Sequence, residues 1–264
     1  MSNSDEARIS SLDAVLDETP QSDQIAGELF GVVDALDSSA MLRRSLTDPN
    51  VADGDRQGLA AHLLRGRVSE ATLRVINEAV AGRWPGGRTL AAALERQAVR
   101  AELARAHAAG ELDETEDSLF RFARLVDSSP ELRNTLADRR VPVEARQSLV
   151  GELLQGRAGT ATTQLAKRAV VARERTFGNT IEGYVTLAAA QQNRVVATVR
   201  VARPLSAEQA HRLRVALSRQ AGRDVTIQEI VEPQVLGGIR VELGDQVIEG
   251  TVESRLDEAR RLFG

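Results

Sequence analysis

Shifted by 90 residues, the chain matches itself. Leu29-Phe30 falls on Leu119-Phe120, Asp37-Ser38-Ser39 on Asp127-Ser128-Ser129, and Arg56-Gln57 on Arg146-Gln147, with no gap between them. Leu42-Arg43, Leu46, Asp48 and Val51 keep the same register with Leu132-Arg133, Leu136, Asp138 and Val141, as do Leu63-Leu64 and Gly66-Arg67 with Leu153-Leu154 and Gly156-Arg157. Of the 55 positions from 29 to 83, 22 are identical to their partners from 119 to 173, several times the agreement of unrelated sequences of this composition. This is an internal duplication. Whatever one copy folds into, the other must be able to fold into as well.

Each copy reads as short helices. Leu119, Phe122, Ala123 and Val126 recur at i, i+3, i+4 and i+7, one core-facing stripe with charged residues opposite. Ser129-Pro130-Glu131 then supplies an N-cap, a proline where no amide partner is lost, and an acid favoured by the helix dipole. Pro142 opens another helix, in which Ala145, Leu149 and Leu153 share a face, and Gly156 closes it. Two more helices are expected from about Thr160 to Arg173 and from about Phe177 to Asn193. Arg83-Trp84-Pro85-Gly86-Gly87 cannot continue a helix and reads as the joint between copies. Two small helical bundles in tandem result, with exchange of helices between copies left open.

From Arg194 the period changes to two. Val195, Ala197, Val199 and Val201 alternate with Val196, Thr198, Arg200 and Ala202, a strand that Pro204 ends. Ser206-Ala207-Glu208-Gln209 is a capping box, and the helix behind it carries Ala210, Leu213 and Leu217 on one side. Strands follow at 225–231, 239–243 and 246–249, and the final segment puts Val252, Leu256, Ala259 and Phe263 on one helical face. The order β-α-β-β-β-α is an α+β module. At 264 residues a single core is near its size limit. The expected division is a helical bundle over 1-88, a second over 89-193 and the α+β domain over 194-264. The fold class is mostly α: two tandem small helical bundles followed by a small α+β C-terminal domain.

Composition removes most chemistry. With no cysteine, disulfides, thiolate zinc sites and cysteine nucleophiles are excluded, and His62, His107 and His211 have no metal-ligand spacing. The net charge is -4, Lys167 is the only lysine, and aromatics are 3%, which argues against nucleic acid as a partner. No stretch approaches the apolar length of a membrane span, and the acidic start is not that of a signal peptide, so a cytoplasmic chain is expected. Asp37-Ser38-Ser39 and its repeat read as helix caps and not as nucleophiles, since no histidine matches them. Gly237-Gly238 lacks the spacing of a phosphate loop and reads as a bulge or tight turn. Asp245 and Glu249 form no acid/base pair. No catalytic, cofactor-binding or metal site is expected.

The C-terminal residues resemble a known family. Val199-Arg200-Val201-Ala202-Arg203-Pro204-Leu205-Ser206, Gly222-Arg223-Asp224-Val225, and Val231-Glu232-Pro233-Gln234-Val235-Leu236-Gly237-Gly238-Ile239-Arg240-Val241 are similar to the delta subunit of bacterial F-type ATP synthases. The likeness continues through Gly244-Asp245-Gln246-Val247-Ile248-Glu249-Gly250-Thr251-Val252 and Arg255-Leu256. The mitochondrial equivalent is the oligomycin-sensitivity-conferring protein. Residues 91 to 193 look like the family's helical N-terminal domain, while residues 1 to 90 are extra, a form similar to actinobacterial delta subunits.

The resemblance implies a non-catalytic stator subunit without cofactors, peripheral at the cytoplasmic face of the plasma membrane. Its helical domain would hold the N-terminal segments of the alpha subunits, and its C-terminal domain the b-type stalk subunit. Pro204, Pro233, Gly237, Gly238, Gly244, Asp245 and Gly250 are its structural signature here, and Leu256, Ala259 and Phe263 its candidate partner-binding face. The reading from another class is a helical protein–protein adaptor with a small-ligand regulatory C-terminal domain.

Overall fold

The computed structural model describes residues 3–19, 22–171, 176–192, 194–221, 224–232, 238–243 and 246–251. Among these the helical elements are α1 (Asn3–Asp17), α2 (Ile25–Ser38), α3 (Ala40–Thr47), α4 (Asp53–Leu64), α5 (Glu70–Ala81), α6 (Gly87–Ala108), α7 (Leu112–Ser128), α8 (Pro130–Ala137), α9 (Val143–Leu154), α10 (Thr160–Ala169) and α11 (Phe177–Gln191). Then come β1 (Arg194–Val201), α12 (Ala207–Ala221), β2 (Asp224–Val231), β3 (Gly238–Leu243) and β4 (Gln246–Thr251). The chain forms two compact units, Met1–Tyr184 and Val185–Gly264. The first unit holds α1 to α10 and the first part of α11. The fold is mostly α with a small α+β region, as the change of sequence period predicts.

The 90-residue offset carries α2, α3, α4 and α5 onto α7, α8, α9 and α10. It also carries α1 onto residues 93–107, inside α6, and the start of α6 onto the start of α11. One helix therefore closes the first copy and opens the second. α6 packs against α1, α2, α3 and α5 on one side of the duplication and against α7 and α10 on the other. Its sequence suits that position. Leu90, Ala91, Leu94, Ala98, Val99, Leu103 and Ala106 are buried around much of its circumference, the pattern of an internal helix. The expected joint is correspondingly short: Gly87 already belongs to α6, and Trp84 is buried with its indole N–H donating to the Ala79 carbonyl at 2.6 Å.

Local signals sit where the sequence places them. The Ser39 and Ser129 hydroxyls cap α3 and α8, accepting from the amides of Leu42 and Leu132. Gly66 and Gly156, the residues following the C-caps of α4 and α9, have φ of 71° and 68°, the left-handed conformation glycine tolerates best. The stripe expected on α7 is buried at all four of its positions, Leu119, Phe122, Ala123 and Val126.

The face expected on α9 is displaced by one residue. Ala145 is exposed, Leu149 and Leu153 are only half-buried, and the buried residues are Val150 and Leu154. Arg146 is the cause. Its guanidinium turns inward to bond backbone carbonyls, so the inward stripe runs Arg146, Val150 and Leu154 at spacings of four.

The second unit holds a four-stranded sheet in the order β2-β1-β3-β4. β1 pairs with β2 in parallel across α12, and with β3 antiparallel; β3 and β4 are antiparallel neighbours. Ala197, Val199, Val201, Val225 and Val241 form a core with Leu217 of α12, and Leu213 packs against it. On the other face of β1, Arg200 bonds Glu232 at 2.7 Å and Glu242 at 3.4 Å. The capping box is formed: the Gln209 amide donates to the Ser206 hydroxyl at 3.2 Å, and the Ser206 amide donates to the Gln209 side chain at 2.8 Å. The final amphipathic segment lies outside the described residues.

Candidate docking surfaces

Polar residues shared by the copies are spent on the backbone. Arg56 donates to the carbonyls of Val51, Val80, Ala81 and Asp48 and to the Asp53 carboxylate. Its repeat partner Arg146 donates to Val141, Leu136 and Val170, of which Val141 and Val170 are the partners of Val51 and Val80. Gln57 and Gln147 reach Asn77 and Lys167, again equivalent carbonyls. Arg43 and Arg133 both donate to the carbonyl of the aspartate in the last turn of the preceding helix, Asp37 and Asp127. Asp48 and Asp138 each accept from the amide two residues on. The pKa of the Asp138 carboxyl is lowered to about 2 by hydrogen bonds from the Arg140 side chain and amide. These groups tie helix ends and turns together and leave no spare reactivity.

The copies differ in how tightly they close. At Gly87 in the first copy a Cβ would lie 2.5 Å from Arg43 Cβ, so the start of α6 touches α3 backbone to side-chain root. The equivalent residue in the second copy is Phe177, which packs edge-to-face on Phe122 with ring centroids 5.8 Å apart. Beside that pair lies a groove of about 830 Å³, its apolar lining including Val126, Leu136, Val143, Val170 and Phe177 and its charged lining including Asp37, Arg133 and Arg146. A site of this size and character accepts large apolar side chains between charged rims.

A buried ion cluster lies along the same groove. Arg168 of α10 is 7% exposed and forms a two-pronged pair with Glu95 of α6, at 2.8 and 2.7 Å. Its remaining nitrogen donates to Asp34 of α2 at 2.6 Å, and its guanidinium carbon sits 4.9 Å from the centre of the Phe30 ring. The Tyr184 hydroxyl donates to Glu95 at 3.3 Å. Burial disfavours the charged guanidinium, but hydrogen bonds and charge from Glu95 and Asp34 outweigh it and raise its pKa. In the first copy the same position is Glu78, so the repeat does not announce this cluster; a reversal of charge between matched positions was its one visible signal.

Of the residues singled out in the sequence, Pro204 lies exposed in the loop after β1, Gly238 opens β3 and pairs with Thr251, and Gly250 lies in β4 opposite Ile239. Gly238 is thus already part of the strand that the sequence places from Ile239. Pro233, Gly237, Gly244, Asp245, Leu256, Ala259 and Phe263 lie outside the described residues. Among the described residues no cluster of three or more His, Asp or Glu could hold a metal ion, and no helix is long and apolar enough to cross a membrane.

The family model described as "ATP synthase delta (OSCP) subunit" matches residues 98–263. Over 92% of its length the chain is 45% identical to 87% of the "ATP synthase subunit delta" of a Parafrankia species. The chain belongs to the ATP synthase delta (OSCP) subunit family. It is 43% identical over 89% of its length to 85% of the delta subunit of Kineococcus radiotolerans, and 42% identical over 95% to 92% of that of Streptomyces avermitilis. Alignments this long must include most of residues 1–90, so these relatives share the extra helical copy. The family match begins inside α6, the helix with which the second copy opens. As a member of this family the chain is a peripheral-stalk subunit of an ATP synthase and not itself a catalyst.

Proposed function

We propose that the helical unit of this delta subunit holds the N-terminal segments of the alpha subunits. The C-terminal α+β unit holds the end of the b-type stalk subunit, at the cytoplasmic face of the plasma membrane. The observation that carries this reading is the division into a helical unit with an open, largely apolar groove and a separate α+β unit. A stator must resist torque through extended helix-in-groove contacts and has no need of reactive groups. The shared polar residues, committed to the backbone, support the same reading. Leu256, Ala259 and Phe263 form the proposed face toward the b-type subunit.

Co-purification from membranes under gentle detergent tests the assignment. The tagged full chain is expected to retain alpha, beta and b-type subunits in stoichiometric amounts. A chain lacking residues 194–264 is expected to keep its helical circular dichroism and lose the b-type subunit, and Leu256→Asp with Phe263→Asp in the full chain to weaken its retention. Undiminished b-type subunit on the truncated chain, or unrelated partners on the full one, would overturn the reading.

A further inference from the structure

We infer that the Arg168 cluster is a lock that fixes the two helical copies as one rigid body. The need for one follows from how the copies are joined. The second copy reaches α6 through α7 and α10 and through the Tyr184 hydroxyl of α11, which bonds Glu95, and α7 is connected to α6 by a turn at Gly110, whose φ is 72°. Through that attachment alone, α8, α9 and α10 would be free to rock about the axis of α6. Arg168 blocks this motion at α10. Its two-pronged pair with Glu95 fixes α10 to the shared helix, and its bond to Asp34 with the stacking on Phe30 carries the tie into α2, a helix of the first copy.

Three directions of constraint meet at one planar, buried group, which resists rotation as a single hydrogen bond would not. Buried ion pairs are a poor means of gaining stability but a good means of fixing one arrangement over others. The duplication reinforces the assignment. Position 78 of the first copy, matching Arg168, is a glutamate whose side chain accepts from Ser11 of α1, within its own copy, whereas Arg168 reaches out of its copy to Asp34.

The chain has no cysteine, so Met41→Cys on α3 and Glu152→Cys on α9, both exposed, give a unique pair of spin-label sites, one in each copy. Pulsed electron resonance on the full chain is expected to give a narrow distance distribution. Replacing both buried charges, Arg168→Met with Glu95→Gln, leaves no buried ion unpaired, because Asp34 is exposed to solvent; the distribution is expected to broaden while circular dichroism stays unchanged. Amide exchange in α9 and α10 is expected to rise about tenfold relative to α4 and α5. A distribution as narrow as the parent's in the folded double variant would overturn the lock. Should that variant fail to fold, Asp34→Ala with Phe30→Leu decides: the pair keeps the Glu95 contact and removes both contacts of Arg168 to α2, so broadening supports the lock and parental width refutes it.

Discussion

The first and second helical copies carry one plan to two ends. In both, an arginine turned inward and the glutamine after it reach equivalent carbonyls, serines cap the same helices, and glycines close the same turns. Yet the first copy draws α3 onto α6 at Gly87, while the second puts Phe177 at that position, opens a groove beside it, and directs Arg168 at its neighbour. Identities between the copies maintain the fold, and departures from identity carry the interactions. That division of labour is the main lesson of the duplication.

The sharpest way to break the comparison is to remove the shared arginine from each copy in turn. Arg56 is 2% exposed and serves four carbonyls and a carboxylate, whereas Arg146 is half-buried and serves three carbonyls. Arg56→Met should cost about 3 kcal/mol in urea unfolding, because buried acceptors lose their donor, and Arg146→Met about half of that. The reverse order would mean that the open copy, not the closed one, depends more on the tie.

A smaller effect changes sign between the copies. Thr72 donates its hydroxyl to Glu28, and the Glu28 carboxylate also accepts from the Ser69 amide and hydroxyl. In the second copy Glu28 is replaced by Ser118 and Ser69 by Gly159, and the Thr162 hydroxyl is buried with no hydrogen-bond partner. Thr72→Val should therefore destabilise by about 1–2 kcal/mol, and Thr162→Val should stabilise by about 1 kcal/mol. Calorimetric melting of the two variants checks this; losses of equal size would show that Thr162 is satisfied after all.

The smallest effect is a pH dependence confined to the first copy. Partial burial alone would raise the Glu28 pKa, but hydrogen bonds from Thr72 and Ser69 outweigh it and hold it below the ordinary carboxylate value. A depressed carboxyl stabilises the fold above its unfolded value and loses that contribution as pH falls through its folded value. The stability difference between the parent and Glu28→Gln should thus be full near neutral pH and shrink as pH falls through the acidic range in which the carboxylate protonates. A difference independent of pH would show that the carboxylate's charge is irrelevant to the network.

Much of this was legible in the chain itself. The Ser206 capping box, the Ser129 cap and the α7 stripe are local, and each formed at the residues that signal it. The face of α9 was not legible, because periodicity counts apolar residues and cannot see that Arg146 has carbonyls to satisfy inside. Nor was the ion cluster: Glu95 and Arg168 lie 73 residues apart, and neither is marked by any repeat identity. The groove needed backbone geometry, since Gly87 and Phe177 acquire meaning only when set in the same place of two superimposable folds. The shared role of α6 was hidden because the joint at Arg83–Gly87 reads as an end, although it is only a corner.

That double use of α6 has an arithmetic consequence. A duplication that appended a complete bundle would need a linker and would add a swivel at each junction; here one copy length of 90 residues adds five helices and splices them onto a sixth already present. The second copy starts from the last helix of the first, as a flight of stairs starts from the landing of the one below, and no free linker separates the two.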